Sequence, residues 1–408
     1  MKSIFILYIC VQAVEHLVTF LNLHHLAVHG AKVPRGFGKY ISSDVLTGMR
    51  DYTLARERVS LVASLMDAVV TILFIFGGIL IWYTNWFSSL QWSFVIASTL
   101  FFLFIFYIET LFKIPFSLYS TFRVEQKYGF NRQTSGLWCM DLIKSLFLGT
   151  VLYAVLLSGA FWIIMTFPGY WWLITWLFFL SFSVILMYLA SYVIEPLFNT
   201  FTPIEDKSLE EKIRHLMDKA GISITRVFTM DASKRSSHGN AYFSGIGRVK
   251  RIVLFDTLLK TNSHDEILAI LAHEAGHWKK KHIFKRLAVM EGLALAGIYI
   301  VYLLVQGDML TEMFGLTDPP LYAKLLLAGF LGGLLASFVR PFHNWYSRKH
   351  EWEADAFAAD LTGDPTAMAR ALIKLGRDNL SNLHPHPWYA ALHYSHPPLA
   401  QRVRRLLQ

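Results

Sequence analysis

The sequence predicts an α-helical membrane protein that crosses the bilayer about seven times and carries a further α+β domain in the cytosol. Hydrophobic residues make up 54% of the 408-residue chain and charged residues only 16%, below the roughly 25% typical of soluble domains. Seven apolar stretches are long enough to cross a bilayer, which takes about 20 residues. The loops between these stretches are alternately basic and free of Lys and Arg.

The apolar stretches define a chain in two parts. They lie near 4–28, 61–83, 92–112, 142–166, 171–195, 283–305 and 321–342. We therefore expect residues 1–195 to form an N-terminal bundle of five spans. Residues 196–408 then form a second domain, which the last two spans interrupt.

Positive charge is confined to alternate loops. The basic segments are 29–60, 113–141, 196–282 and the tail after 342, and the segments without Lys or Arg are 84–91, 167–170 and 306–320. Basic loops stay in the cytosol, so the C-terminus is predicted to be cytosolic and the N-terminus to lie across the membrane. The same distribution accounts for the net charge of +9. Membrane lipids are therefore expected partners, and nucleic acid is not.

Local patterns predict several elements of the soluble part. Leu209 to Ala220 has helical spacing and Gly221 follows it, as at a helix C-terminus. Val227 to Met230 reads as a strand. Residues 241–243 and 251–255, with a turn at 244–247, read as a hairpin.

The strongest chemical motif is His273-Glu274-Ala275-Gly276-His277. It lies on a helix that a Ser263/Glu266 capping box is predicted to open. Residues four apart share a helix face, so both imidazoles can reach one zinc ion while Glu274 serves as the base for a water. The alternative is a solvated helix with two unrelated histidines. If the helix continues into the sixth span, His277 lies roughly 9 Å from the membrane.

A catalytic zinc with two histidine ligands needs a third protein ligand. The metzincin spacing requires histidine at position 283, which is Ile283. After the seventh span, Glu351 and Asp355 are four residues apart and share a helix face. Glu351 is the predicted third ligand, and Asp355 is expected to accept a hydrogen bond from a ligand histidine. The alternative is a charged helix beside the membrane.

These motifs resemble the membrane zinc metalloproteases that include the type I CAAX prenyl proteases. The pattern H-E-A-G-H-W followed by E-W-E-A-D is similar to that family. Four further segments match it: Glu125 to Asn131 with Asp141 and Lys144, Glu195 to Asn199, Ser233 to Phe243, and Ser395 to Pro398 with Arg402. The chain differs in its short tail and loops.

The resemblance implies one zinc ion held by His273, His277 and Glu351, with Glu274 as the catalytic base. It implies a helical barrel around a large chamber, joined to a gluzincin-like protease domain. The expected substrate is a prenylated or other membrane-associated polypeptide, cleaved directly after a lipidated cysteine. The protein is expected in a bacterial inner membrane, or in the endoplasmic reticulum membrane of a eukaryote.

Further residues are candidates for contacts with substrate. His396 and Arg402 are candidate donors to the oxyanion, which needs a partner besides the metal, although His396 could equally be a turn residue before two prolines. Asn240, Ala241 and Tyr242 are expected to form an edge strand that offers main-chain hydrogen bonds to an extended substrate. Asn240 and Tyr242 could equally be turn and core residues.

Two other functions fit the same sequence. One is a broad-specificity protease for membrane-protein quality control, with the same chemistry. The other is a zinc-binding scaffold or transporter without hydrolysis. A site that only binds metal has no need of Glu274, because that residue is not a ligand, and this disfavours the scaffold.

Overall fold

The computed structural model describes residues 1–34, 36–244 and 251–408, and most of these residues are helical. The helices are α1 (Lys2–His29), α2 (Ser43–Thr71), α3 (Ile79–Ser89), α4 (Phe94–Tyr119), α5 (Ser135–Thr166), α6 (Trp171–Leu189), α7 (Glu195–Phe198), α8 (Lys207–Lys219), α9 (Asp256–Thr261), α10 (His264–Lys279), α11 (His282–Gln306), α12 (Met309–Phe314), α13 (Leu321–Thr362), α14 (Pro365–Asp378), α15 (Pro387–His393) and α16 (Leu399–Leu406). Short π-helical segments at Ile72–Phe76, Ser120–Glu125 and Ala190–Ile194 extend α2, α4 and α6.

Seven helices in the described ranges are long and apolar enough to cross a membrane. Each overlaps one of the seven predicted stretches, and the second ends earlier than predicted. The prediction of one span over 61–83 is wrong, because the helix that begins at Ser43 ends at Phe76 and α3 starts anew at Ile79. Gly78 between them has φ +86°, a conformation that glycine adopts without steric cost.

The last span does not end where the apolar stretch ends. α13 runs for 42 residues, from Leu321 to Thr362, and so includes both the apolar stretch and the charged residues after it. Glu351 and Asp355 therefore lie on the same helix as the seventh span. Near residue 342 the side chains change from apolar to polar, but the backbone remains helical.

The soluble part contains a four-stranded sheet of β1 (Phe201–Pro203), β2 (Arg226–Met230), β3 (Ala241–Ser244) and β4 (Arg251–Phe255). The strand order is β1-β2-β4-β3, with β2 parallel to β4 and the other pairs antiparallel. The predicted hairpin pairing of β3 with β4 is confirmed, and most of its turn lies outside the described residues. β1 was not predicted. β3 is an edge strand of this sheet.

The sheet and α10 share one hydrophobic core. Ile213 of α8, Ile252 of β4 and Leu271 of α10 are all fully buried in it. Burying such a side chain contributes about 1.5–3 kcal/mol. This core fixes α10 against the sheet and so sets the position of the histidines that α10 carries.

Polar contacts join the membrane helices to the soluble part. Arg235 donates two hydrogen bonds to Asp141, with N–O distances of 2.8 and 2.9 Å. Asn131 and Ser236 form an isolated β-bridge beside this ion pair. A bidentate pair fixes geometry as well as charge, so the two parts of the chain are held in a defined relation.

Candidate metal centre

α10 begins at the predicted capping box. The Ser263 side chain accepts from the Glu266 backbone N–H, and the Glu266 side chain accepts from the Ser263 backbone N–H. The first orphan N–H groups of the helix are thereby satisfied. Lys374 Nζ lies 3.1 Å from Glu266, which also ties this end of α10 to α14.

α10 and α13 approach each other closely at Gly276. A Cβ atom at that position would lie 3.0 Å from Ala354 Cα and 3.2 Å from the Ala354 carbonyl oxygen. The small residue allows the two backbones to come together, and Glu351 of α13 reaches the histidines of α10 as a result.

Three predicted ligands converge at this crossing. The Nε2 atoms of His273 and His277 lie 3.1 Å apart. Glu351 Oε2 is 3.4 Å from His273 Nε2, and Glu351 Oε1 is 3.2 Å from His277 Nε2. One donor atom from each residue lies within 4.8 Å of the others. Within the described ranges this is the one group of three or more such residues that could hold a metal ion.

The donor set fits a metal ion by its chemistry. Two imidazole nitrogens and a carboxylate are typical ligands of zinc at a catalytic site. Glu351 is only 3% exposed, and its Oε2 atom has no hydrogen-bond partner among the described residues. A buried carboxylate oxygen without a donor is costly unless a cation satisfies it. His273, His277 and Glu351 are therefore the residues that could hold the ion.

The second nitrogen of His273 is also engaged. Its Nδ1 lies 2.8 Å from Asp355 Oδ1, and Arg402 donates to both oxygens of Asp355 at 2.6 and 2.9 Å. Burial acts to lower the pKa of His273, but the adjacent carboxylates of Asp355 and Glu351 outweigh burial and raise the pKa to about 9. The imidazole is thus expected to release a proton when a metal ion binds.

The second nitrogen of His277 has a partner that the sequence analysis did not identify. His277 Nδ1 lies 3.0 Å from His282 Nδ1, and His282 Nε2 lies 3.1 Å from Glu353 Oε2. The metzincin spacing directs attention to position 283, and His282 lies one residue before it. The position of His282 close to His277 in the sequence is the feature from which this contact could have been predicted.

His282 reaches His277 because α10 does not continue into the sixth span. α10 ends at Lys279 and α11 begins at His282, with Lys281 between them at φ +58°. A lysine in this left-handed conformation is uncommon. The premise of a continuous helix through this segment is therefore wrong, and the turn carries His282 back beside the metal centre.

Glu274 lies on α10 between the two histidines and is partly buried. Burial raises the pKa of its carboxyl, and the nearby Glu351 acts in the same direction, while His273 and His277 oppose the shift. A carboxylate with a raised pKa is better suited to accept and return a proton near neutral pH.

The other predicted site residues occupy different positions. His396 Nε2 lies 3.3 Å from Glu351 Oε1, and its side chain is 62% exposed. Arg402 is 8% exposed and uses two of its nitrogens on Asp355, while Nη1 lies 3.8 Å from Glu351. His396 is thus placed at the open side of the site, and Arg402 lies behind His273.

The predicted substrate strand lies at the edge of the sheet. Ala241 and Tyr242 belong to β3, and Asn240 directly precedes this strand. Asn240 is exposed, Ala241 is buried and Tyr242 is half-buried. β3 contacts α10, so this edge strand lies next to the helix that carries the histidines.

Replacing Gly276 by Ala is expected to destabilise the protein by about 1–3 kcal/mol, the usual cost of overpacking. The new methyl group must push α13 away from α10, so zinc affinity should fall as well. Thermal unfolding and a zinc titration measure the two effects. The control is Gly292→Ala on α11, where a Cβ atom meets nothing within 4 Å. Equal behaviour of the two variants would show that the close approach does not matter.

The fold and this cluster together define a class of protein, a multi-pass membrane metallopeptidase. Residues 22–200 match the family model for the CAAX prenyl protease N-terminal region, described as five membrane helices. Residues 203–408 match the model for peptidase family M48. The chain belongs to peptidase family M48, and it is a metalloendopeptidase.

Similar proteins cover nearly the whole chain. A CAAX prenyl protease 1 homolog of Arabidopsis thaliana is 34% identical, over 95% of this chain and 93% of the relative. A CAAX prenyl protease 1 homolog of Homo sapiens is 31% identical, over 92% and 88% of the two chains. The crystal structure of S. mikatae Ste24p matches with a TM-score of 0.91 and 32% identity, over 98% of this chain and 97% of that chain. The predicted fold class, a helical membrane barrel around a chamber with a protease domain, is confirmed.

Proposed function

We propose that this protein is a zinc endopeptidase that removes the C-terminal tripeptide after a prenylated cysteine. The observation that carries the proposal is the convergence of His273, His277 and Glu351 beside Glu274. The substrate class is supported by relatives named CAAX prenyl proteases that match most of this chain.

Zinc, when bound by these three residues, supplies a Lewis acid that polarises the scissile carbonyl and makes water more acidic. Glu274 takes a proton from the attacking water and later passes it to the leaving amine. His396 is exposed beside Glu351, and we propose that it donates to the developing oxyanion. Arg402 is committed to Asp355, which favours a role in positioning His273 through that carboxylate.

We propose that the substrate binds in an extended conformation along β3. Asn240, Ala241 and Tyr242 would offer main-chain groups at the edge of the sheet. The basic loops favour an orientation with this site on the cytosolic side. A lipidated peptide would then approach from the cytosolic membrane surface, with its prenyl group in contact with the membrane helices.

The test compares two peptides with the purified protein. One carries a farnesyl group on a C-terminal CAAX box, and the other is the same peptide without the lipid. We expect cleavage of the lipidated peptide alone, directly after its cysteine, and mass spectrometry of the products would detect it. Equal cleavage of both peptides would favour a broad-specificity quality-control protease. A protein that binds zinc and cleaves neither would favour the scaffold.

A further inference from the structure

We propose that His282 and Glu353 are positioning residues that hold His277 in the orientation and tautomer needed to bind the metal ion. The inference rests on the metal site of the proposed function. It adds a second support, which is separate from the Asp355 and Arg402 support behind His273.

The contacts form a chain of three side chains. His277 Nδ1 and His282 Nδ1 lie 3.0 Å apart, and His282 Nε2 lies 3.1 Å from Glu353 Oε2. The His282 side chain is 1% exposed, whereas Glu353 is 36% exposed. This series of contacts therefore leads from the metal site, through a buried imidazole, to a carboxylate at a more exposed position.

The protonation pattern follows from the metal site. His277 must offer the lone pair of Nε2 to a metal ion, so its Nδ1 carries the proton. That proton is donated to His282 Nδ1, which must then be the acceptor. The neutral His282 ring consequently carries its own proton on Nε2 and donates it to Glu353. Each of these ring nitrogens therefore acts either as a donor or as an acceptor, and no two donors face each other.

The position of His282 is fixed from three sides. It is the first residue of α11 and follows Lys281, whose φ of +58° turns the chain. Its ring stacks on His350, with centroids 4.1 Å apart and an angle of 9° between the planes. His350 and Glu353 are three residues apart on α13 and so share a face. His282 lies against this pair and cannot rotate freely.

The two ligand histidines are therefore supported differently. His273 donates to a carboxylate that an arginine holds, with both partners buried. His277 donates to a neutral imidazole, and the carboxylate comes one step later. Outer contacts of this kind raise ligand basicity and fix ring orientation, and their loss typically lowers metal affinity by about 10–100-fold.

The experiment is a zinc titration of the metal-free, full-length protein against a competing chelator, repeated for variants of His282. His282→Ala should lower zinc affinity by about 10–100-fold. His282→Asn places an oxygen where Nδ1 stood, so it keeps the acceptor for His277 and should recover most of the affinity. His282→Gln places its amide nitrogen near the Nε2 position, keeps the contact to Glu353, and should not recover it.

A spectroscopic measurement separates positioning from general stability. The cobalt(II) absorption spectrum reports ligand geometry, so it should change in His282→Ala and return towards the original in His282→Asn. The control is His264→Asn, on the same helix α10, whose side chain pairs with Asp206 away from the metal ligands. This control should leave the affinity and the spectrum unchanged.

The proposal fails if His282→Ala binds zinc as tightly as the unaltered protein, or if Asn and Gln recover affinity equally. Should His282→Ala not fold, the comparison of Asn with Gln still decides. The peptide assay keeps the two hypotheses distinct. An unaltered protein that cleaves the lipidated peptide, with no effect of His282 on zinc, overturns this inference and leaves the proposed function in place.

Discussion

Replacing Glu274 by Gln is expected to abolish peptide cleavage while the protein still binds one zinc ion. The amide keeps the size of the side chain but cannot accept the proton of the attacking water. General acid–base catalysis contributes about 10²–10⁴-fold to a rate, so a loss of that order is expected. Turnover of the lipidated peptide and zinc content per chain are the two measurements.

The matched control for this variant is Asp265→Asn. Asp265 is an exposed carboxylate on the same helix, so its replacement makes the same chemical change at a distance from the ligands. It should leave turnover intact. Normal turnover in Glu274→Gln would refute the assigned role of Glu274, whereas a loss of zinc in that variant would assign it to the metal site.

Replacing Glu351 by Ala is expected to remove most of the bound zinc. Two histidines would remain as the only protein ligands, and the Arg402 guanidinium nearby would lose a carboxylate partner. The fall in zinc affinity should exceed the roughly 10–100-fold that accompanies loss of an outer contact. Elemental analysis after dialysis against a weak chelator would measure it.

Asp360→Ala supplies the control for that experiment, because Asp360 is an exposed acidic residue nine positions further along α13. Its zinc content should equal that of the unaltered protein. Full occupancy in Glu351→Ala would place the third ligand elsewhere. An unfolded variant would be recognised from its thermal transition, and Glu351→Gln would then replace it.

Local patterns in the sequence were sufficient for the elements that depend on neighbouring residues. The Ser263 capping box, helix α8 and the β3–β4 pairing follow from side chains close together in the chain. The apolar stretches likewise located the seven spans, since a bilayer demands length and apolar character.

Features that depend on packing between distant segments could not be predicted from local sequence patterns. Nothing local marks β1, which is three residues long and pairs with β2. The approach of Gly276 to Ala354 brings Glu351 to the histidines. Local sequence does not reveal this contact, because more than seventy residues separate the two positions. The turn at Lys281 could not be predicted for the same reason. It allows His282 to contact α13, which is distant in the sequence.

The length of α13 has a consequence for the way in which this protein can be divided. One uninterrupted helix runs from Leu321 within the seventh span to Thr362, eleven residues beyond Glu351. The seventh span and Glu351 are therefore joined by continuous helix, which passes through Pro341, rather than by a loop. Because this segment is helical, we expect it to resist proteolysis in the native state. The seventh span and the third metal ligand therefore belong to one structural unit.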